Sequence, residues 1–132
     1  MSKIAMICIG VVGLLHACIL YVEMFNWPLM ANRLLADELE AANGVGFDLL
    51  KATTVMAKNQ GLYNGFLAAG LFWSLAVTNV DWKRHIATFF LLCVAVAGVY
   101  GWLTTGSIVI LVAQTVLAGI ALAALHMSKP AQ

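Results

Sequence analysis

The chain has 132 residues, of which 63% are hydrophobic and 10% charged, with a formal net charge of +1. A water-soluble domain is close to half apolar and a quarter charged, so the composition excludes that class and favours a membrane protein. The small net charge offers no basic surface, and we expect no nucleic-acid partner. The length allows one domain, residues 1–132.

The first apolar run, residues 4–25, has the length of a transmembrane helix, because about 20 apolar residues cross the hydrocarbon core of a bilayer. Lys3 before an apolar run is also typical of a signal peptide, and Leu15-His16-Ala17-Cys18 loosely resembles a lipoprotein cleavage site. The apolar run continues past Cys18 to Val22. We therefore expect an uncleaved first span.

The connection that follows, residues 26–57, is predicted to contain a short amphipathic helix. Pro28 suits a first helical turn. Apolar residues recur at helical intervals: Leu29, Met30, Leu34, Leu35 and Leu39. Arg33, Asp37 and Glu40 lie on the opposite face, so this helix is expected at the outer membrane interface.

The second predicted span, residues 58–80, opens with polar side chains. In helical geometry Asn59 and Tyr63, and likewise Gln60 and Asn64, are four residues apart, which places all four on one face. From residue 61 to residue 80 the chain has no charged side chain. Polar groups in a span are costly in lipid and usually face protein or water. The sequence therefore predicts a functional site on this face.

Two further spans are predicted at residues 86–103 and 107–126. Lipid admits only helices and closed barrels, and the spans lack the alternating pattern of a barrel strand. The predicted fold is all-α: an integral membrane four-helix bundle with an interfacial amphipathic helix in the first connection. Both termini then lie on one side, where the cluster Trp82-Lys83-Arg84-His85 favours the cytoplasm. We expect a multi-pass protein of the cell inner membrane.

Counting about 1.5 Å per residue along each span places the polar side chains in the outer half of the membrane. The candidate ligand-binding residues are His16, Glu23, Asn59, Gln60, Tyr63, Asn64, Tyr100 and Gln114. The inner half is apolar until Lys83, His85 and His126. This asymmetry predicts an outward-facing polar cup. Two simpler interpretations remain open: Glu23 reaches water, or His16 and the amides only hold helices together.

We predict no metal, no cofactor and no catalytic residue. His85 and His126 share the inner layer but lie far from His16, so three metal ligands do not meet, and haem held by these two would sit at the interface. The three cysteines, Cys8, Cys18 and Cys93, lie in apolar runs and have no metal or disulfide pattern. There is also no glycine-rich phosphate loop or Ser/His/Asp set.

Small residues recur along the spans at helical intervals: Gly61, Gly65, Ala69, Ala97, Gly101, Gly119 and Ala123. Such residues let helices approach closely. Contacts within the bundle are the simpler interpretation. A small chain also buries little surface, so we expect a homo-oligomer, either a dimer or a trimer.

The run from Asn59 to Leu71, with Glu23-Met24 ending the first span and Trp27 after it, resembles a family of small bacterial and fungal integral membrane proteins. That family is known only as a domain of unknown function. The resemblance covers essentially the whole chain and implies four spans without a settled activity. The resemblance implies that the positions characteristic of the family are Glu23, Asn59, Gln60, Tyr63 and Asn64 in this chain.

Three functions are compatible with the cup. The first is binding or carrying a small amphipathic or lipid-like molecule, with membrane lipid around it and an apolar floor of Phe66, Phe72 and Trp73. The second is a proton-coupled transporter that uses Glu23. The third is a membrane-embedded glutathione-type transferase, which is disfavoured because only Arg33 and Arg84 could activate an anion. The sequence favours a binding protein over an enzyme.

Overall fold

The computed structural model describes the backbone of residues 1–34 and 46–127, and the side chains of residues 1–31 and 50–127. These residues form helices and contain no strand. The helices are α1 (Lys3–Phe25), α2 (Trp27–Leu34), α3 (Gly46–Ala76), α4 (Val80–Thr105) and α5 (Ile108–Met127). The predicted all-α class is confirmed.

Three of these helices, α1, α4 and α5, are long and apolar enough to cross a membrane. Only 28%, 22% and 17% of their most apolar stretches is buried inside the chain. Their remaining apolar side chains, such as Ile7, Val96 and Val109, are exposed. Exposed apolar surface of this extent is unfavourable in water and favourable in lipid. The three helices therefore indicate a membrane-embedded protein.

The fourth predicted span corresponds to the second half of α3. This helix has 31 residues, but unlike α1, α4 and α5 it does not meet the hydropathy criterion for a membrane span. The amides of Asn59, Gln60 and Asn64 lower the mean hydropathy of its apolar half. The polar cluster that marks the candidate site thus also weakens the signal for a span.

The predicted interfacial helix is seen in part, as α2. The chain bends at Asn26, whose carbonyl accepts the backbone N–H groups of Leu29 at 3.1 Å and Met30 at 3.2 Å. Trp27 and Pro28 form the first turn, where the missing N–H of proline costs nothing. The remainder of the predicted amphipathic helix, including Leu39 and Glu40, lies outside the described residues.

Both ends of α4 carry strong local signals. The Asn79 side chain accepts hydrogen bonds from the backbone N–H groups of Asp81 and Trp82, each at 3.0 Å, which caps the first turn. At the other end Gly106 has φ of 70°, and its N–H donates to the Trp102 carbonyl at 2.8 Å. A left-handed residue that ends a helix is most often glycine. These two residues define where α4 starts and where the turn to α5 begins.

The chain divides into two compact units. One contains residues 1–15 and 67–132, and its core joins small and branched apolar side chains of α1, α3, α4 and α5, including Ile9, Leu71, Leu91 and Leu125. The other contains residues 16–66. It holds most of the polar residues singled out in the sequence.

Within the first unit, α5 contains a π-helical segment, Leu111–Val116. In this segment the Thr115 hydroxyl donates to the Ala95 carbonyl of α4 at 2.9 Å. A methyl group on Gly98 would collide with the Thr115 hydroxyl and lie 2.8 Å from its backbone nitrogen. The absent side chain of Gly98 therefore permits the close contact between α4 and the π segment.

Candidate functional site

In the unit of residues 16–66, α1 and α3 approach each other at two glycines. A methyl group added to Gly61 would lie 2.8 Å from Met24 Cγ and 3.2 Å from the Leu20 carbonyl oxygen. One added to Gly65 would collide with the Leu20 side chain. Both glycines thus serve a helix contact within the chain, the simpler interpretation of the small-residue pattern. The contact brings Asn64 of α3 against α1.

Asn64 lies at the centre of this contact and joins two titratable side chains of α1. Its Oδ1 lies 2.8 Å from His16 Nδ1, and its Nδ2 donates to Glu23 Oε2 at 2.8 Å. The second N–H of the same amide donates to the Gln60 carbonyl at 3.2 Å. His16 is fully buried and Asn64 is 7% exposed. We call His16, Glu23 and Asn64 the polar triad.

The chemistry of the triad determines which His16 nitrogen carries a proton. The amide nitrogen of Asn64 can only donate, so its bond to Glu23 sets the orientation of the amide. The amide oxygen can only accept, so His16 Nδ1 must be the donor. His16 Nε2 is buried and has no hydrogen-bond partner among the described residues. In the neutral ring this atom is an acceptor, and unpaired buried polar atoms are rare.

Glu23 connects the triad to two grooves on the surface of the same unit. The polar groove has a volume of about 410 Å³ and is lined by Glu23, Trp27, Thr53, Met56, Ala57, Asn59 and Gln60. The apolar groove has a volume of about 300 Å³ and is lined by Cys18, Ile19, Val22, Glu23, Trp27 and Met30. Glu23 and Trp27 belong to both. The carboxylate therefore stands where a polar surface meets an apolar one.

Among the groove residues that the sequence does not predict, Trp27 and Thr53 bond to each other. The Trp27 indole N–H donates to the Thr53 hydroxyl at 3.1 Å, which ties α2 to α3. Thr53, Ala57, Gln60 and Asn64 are spaced by four, three and four residues, so they share one face of α3. This spacing was the available signal. The polar run that predicts the site begins only at Asn59, so Thr53 falls outside it.

Comparison with known families gives a match over most of the chain. The family "Protein of unknown function (DUF1304)" matches residues 10–126. The chain belongs to this family. No curated protein and no solved structure matches.

For this DUF1304 chain, the match confirms the expectation of an uncharacterised family and includes the whole polar triad. Asn59 and Gln60 line the polar groove. Tyr63 lines neither groove: it is 53% exposed, and its ring lies edge-on to Phe66 with centroids 6.2 Å apart. Phe66 is also exposed, and the apolar groove is lined by residues of α1 and α2.

The remaining candidates in the DUF1304 chain belong to the other unit. Gln114 lies in the π-helical segment and is half-buried. Tyr100 is 70% exposed and lines an apolar groove with Val96, Val99 and Thr115. Phe72 and Trp73 are in that unit as well. Their predicted proximity to Glu23 stays a prediction.

Proposed function

We propose that this DUF1304 protein binds a small amphipathic, lipid-like molecule in the membrane, with Glu23 as the polar anchor. The position of Glu23 in both grooves carries the proposal. One carboxylate oxygen accepts the Asn64 amide, while Oε1 has no partner among the described residues. An acceptor oxygen at the edge of an apolar groove suits a ligand with a donor at its head and a hydrocarbon tail.

The ligand class follows from the two linings. The head group would carry an ammonium or a hydroxyl, because Glu23 offers only acceptors when ionised. Asn59 and Gln60 would bond the rest of the head. The tail would lie along Ile19 and Val22 in the apolar groove. Both groove volumes fall in the range of small-molecule sites, about 300–1,000 Å³.

The triad gives the anchor a fixed geometry. Asn64 uses both of its N–H groups and its oxygen within the protein, so the amide cannot rotate without losing three hydrogen bonds. Glu23 is thereby held in one orientation before a ligand arrives. A preorganised carboxylate loses less side-chain entropy on binding. Asn64 would act as a positioning residue.

The proposal includes a membrane arrangement with four spans. The apolar half of α3, from Gly61 to Ala76, would cross beside the three apolar helices, its amides facing protein. The termini would lie in the cytoplasm and the grooves in the outer half of the inner membrane. A homo-oligomer, dimer or trimer, would cover part of the exposed apolar surface.

Tryptophan fluorescence offers a direct binding test, because Trp27 lines both grooves. A variant with Trp73→Phe, Trp82→Phe and Trp102→Phe retains Trp27 as the only tryptophan. In phosphatidylcholine nanodiscs, dodecylamine should change its emission saturably, and dodecanoic acid should bind at least tenfold more weakly. Loss of a charge-assisted hydrogen bond should also weaken dodecylamine binding about tenfold in Glu23→Gln.

The matched control is Asp81→Asn, which removes one carboxylate from the other unit and should leave the change in Trp27 emission on adding dodecylamine unaltered, because Asp81 lines neither groove at Glu23. Equal binding of the amine and the acid would contradict the proposed anchor. Equal affinities of the wild type and Glu23→Gln would also contradict it. Either result would mean that the amphiphile partitions into the bilayer without binding to Glu23.

A second candidate function is proton-coupled transport, and the triad itself favours it. Asn64 connects Glu23 near the end of α1 to His16, seven residues deeper, and both side chains can carry a proton. Uptake of a cationic substrate into proteoliposomes that is driven by a proton gradient and lost in Glu23→Gln would establish transport. Arg84 lines a groove of the other unit, so the transferase hypothesis gains no support.

A further inference from the structure

A second polar groove lies in the unit of residues 1–15 and 67–132, where the start of α4 meets the end of α5. It has a volume of about 410 Å³ and is lined by Asp81, Arg84, His85, Thr88, Phe89, Leu92 and His126. We propose that this groove binds a membrane phospholipid whose head group joins a phosphate to a primary ammonium, as in phosphatidylethanolamine. It shares no lining residue with the grooves at Glu23.

The charges of the groove match such a zwitterionic head group. The Arg84 guanidinium has five N–H donors in a planar fork that suits phosphate oxygens. The Asp81 carboxylate, one turn earlier on α4, would repel a phosphate but accept hydrogen bonds from an ammonium. Acid and base together line one groove. This favours a head group that carries both charges over a purely anionic one.

Histidine and threonine supply further polar contacts. His126 Nε2 lies 3.2 Å from the Thr88 hydroxyl, which orients the imidazole at the groove. His85 lines the groove beside Arg84. Imidazole N–H groups and the hydroxyl can all donate to phosphate or glycerol oxygens. Several donors beside one guanidinium are typical of sites that bind phosphate groups.

The apolar part of the groove distinguishes a lipid from a soluble phosphate ester. Phe89 is 63% and Leu92 51% exposed, and both line the groove deeper along α4 than Arg84. At about 1.5 Å per residue, Leu92 lies roughly 12 Å along the helix from Arg84. An acyl chain would cover these side chains, whereas a soluble head group would leave them exposed. Trp82, 64% exposed at the start of α4, is the residue type that marks the interfacial layer.

Native mass spectrometry of the delipidated protein in detergent tests the assignment. The probes are phosphatidylethanolamine, phosphatidylcholine and phosphatidylglycerol with identical acyl chains. Phosphatidylethanolamine should bind about fivefold more tightly than either of the other two, because it alone combines a positive charge with N–H donors for Asp81. Asp81→Asn should abolish this preference. Arg84→Gln should weaken all three lipids about tenfold, because each contains the phosphate.

Lys83→Gln is the matched control for Arg84→Gln. It removes one positive charge from the neighbouring position, and Lys83 does not line the groove, so lipid binding should be unchanged. Equal weakening by the two substitutions would overturn the site in favour of general interfacial electrostatics. Equal affinity for the three lipids would overturn the head-group assignment. Displacement of phosphatidylethanolamine by millimolar glycerophosphoethanolamine, which lacks acyl chains, would show that the groove binds soluble phosphate esters. That result would overturn the proposal of a lipid site.

Discussion

Replacing Asn64 by leucine removes the residue that connects the polar triad, and its effect on stability can be worked out from the contacts. The substitution deletes the side-chain hydrogen bonds to His16 and Glu23, each at 2.8 Å. The new side chain is apolar and close in size, so it fits a helix in lipid. What remains is a fully buried imidazole whose two nitrogens both lack partners, since Nε2 already has none among the described residues.

The expected cost combines two terms. Interhelical hydrogen bonds in membrane proteins contribute about 0.6 kcal/mol each on average, so two bonds contribute about 1.2 kcal/mol. A buried donor left without a partner costs about 1–3 kcal/mol more. Asn64→Leu should therefore lower the free energy of unfolding by about 2–4 kcal/mol. In a His16→Leu background the imidazole is gone, and the same substitution should cost only about 0.6 kcal/mol, the bond to Glu23.

A double-mutant cycle of His16→Leu and Asn64→Leu measures this difference. Unfolding in mixed micelles titrated with sodium dodecyl sulfate and followed by circular dichroism gives each free energy. Asn59→Leu is the control, because Asn59 lies on the same helix, is exposed and makes no hydrogen bond to the described residues; it should change stability by less than about 0.5 kcal/mol. If the stability losses of the two single variants sum to that of the double variant within about 0.3 kcal/mol, the coupling between His16 and Asn64 is refuted.

Three further predictions concern helix packing, topology and capping. Gly61→Val should lower the free energy of unfolding by about 1–3 kcal/mol, because the valine side chain would collide with Met24 and the Leu20 carbonyl. Gly119→Val is the control and should leave the free energy of unfolding nearly unchanged in the same denaturation assay, because the space around Gly119 is open. In a cysteine-free background, an impermeant maleimide should label Asn26→Cys and Thr78→Cys from opposite sides of the membrane if α3 crosses it. Labelling of both cysteines from the same side would mean that the protein has three spans. Asn79→Ala should cost about 1 kcal/mol by the same denaturation, because it removes the cap of α4; an unchanged midpoint would contradict this role.

The features predicted well from sequence are those that depend on local pattern. Apolar runs of span length predict α1, α4 and α5 because lipid leaves a helix few alternatives. His16 and Glu23 could be placed on one face of α1 from their seven-residue spacing, and Asn64 on the facing helix from its depth. The spacing alone did not show that one amide bonds both. That outcome depends on the side-chain register across the Gly61 contact, which is a tertiary property.

Other features had weaker or misleading signals. The π-helical turn at Gln114 has no periodicity that distinguishes it from an ordinary span. The sequence predicts Phe66 as part of the apolar floor of the cup, and in the structure its side chain is 56% exposed. The rotation of α3 about its axis determines whether Phe66 faces a groove or the surrounding lipid. An apolar side chain is stable in both places, so the sequence does not specify that rotation. Thr53 was missed because it lies outside the apolar run.

The central claim is that Glu23 anchors an amphipathic ligand between the polar and apolar grooves. The most direct measurement is a high-resolution map of the protein in nanodiscs with dodecylamine. Elongated density should contact the Glu23 carboxylate and Trp27 and continue along Ile19 and Val22, with Asn64 still bonded to Glu23. Side chains that close both grooves around Glu23, leaving no space for even one water molecule, would contradict the claim and mean that the triad only holds α1 and α3 together.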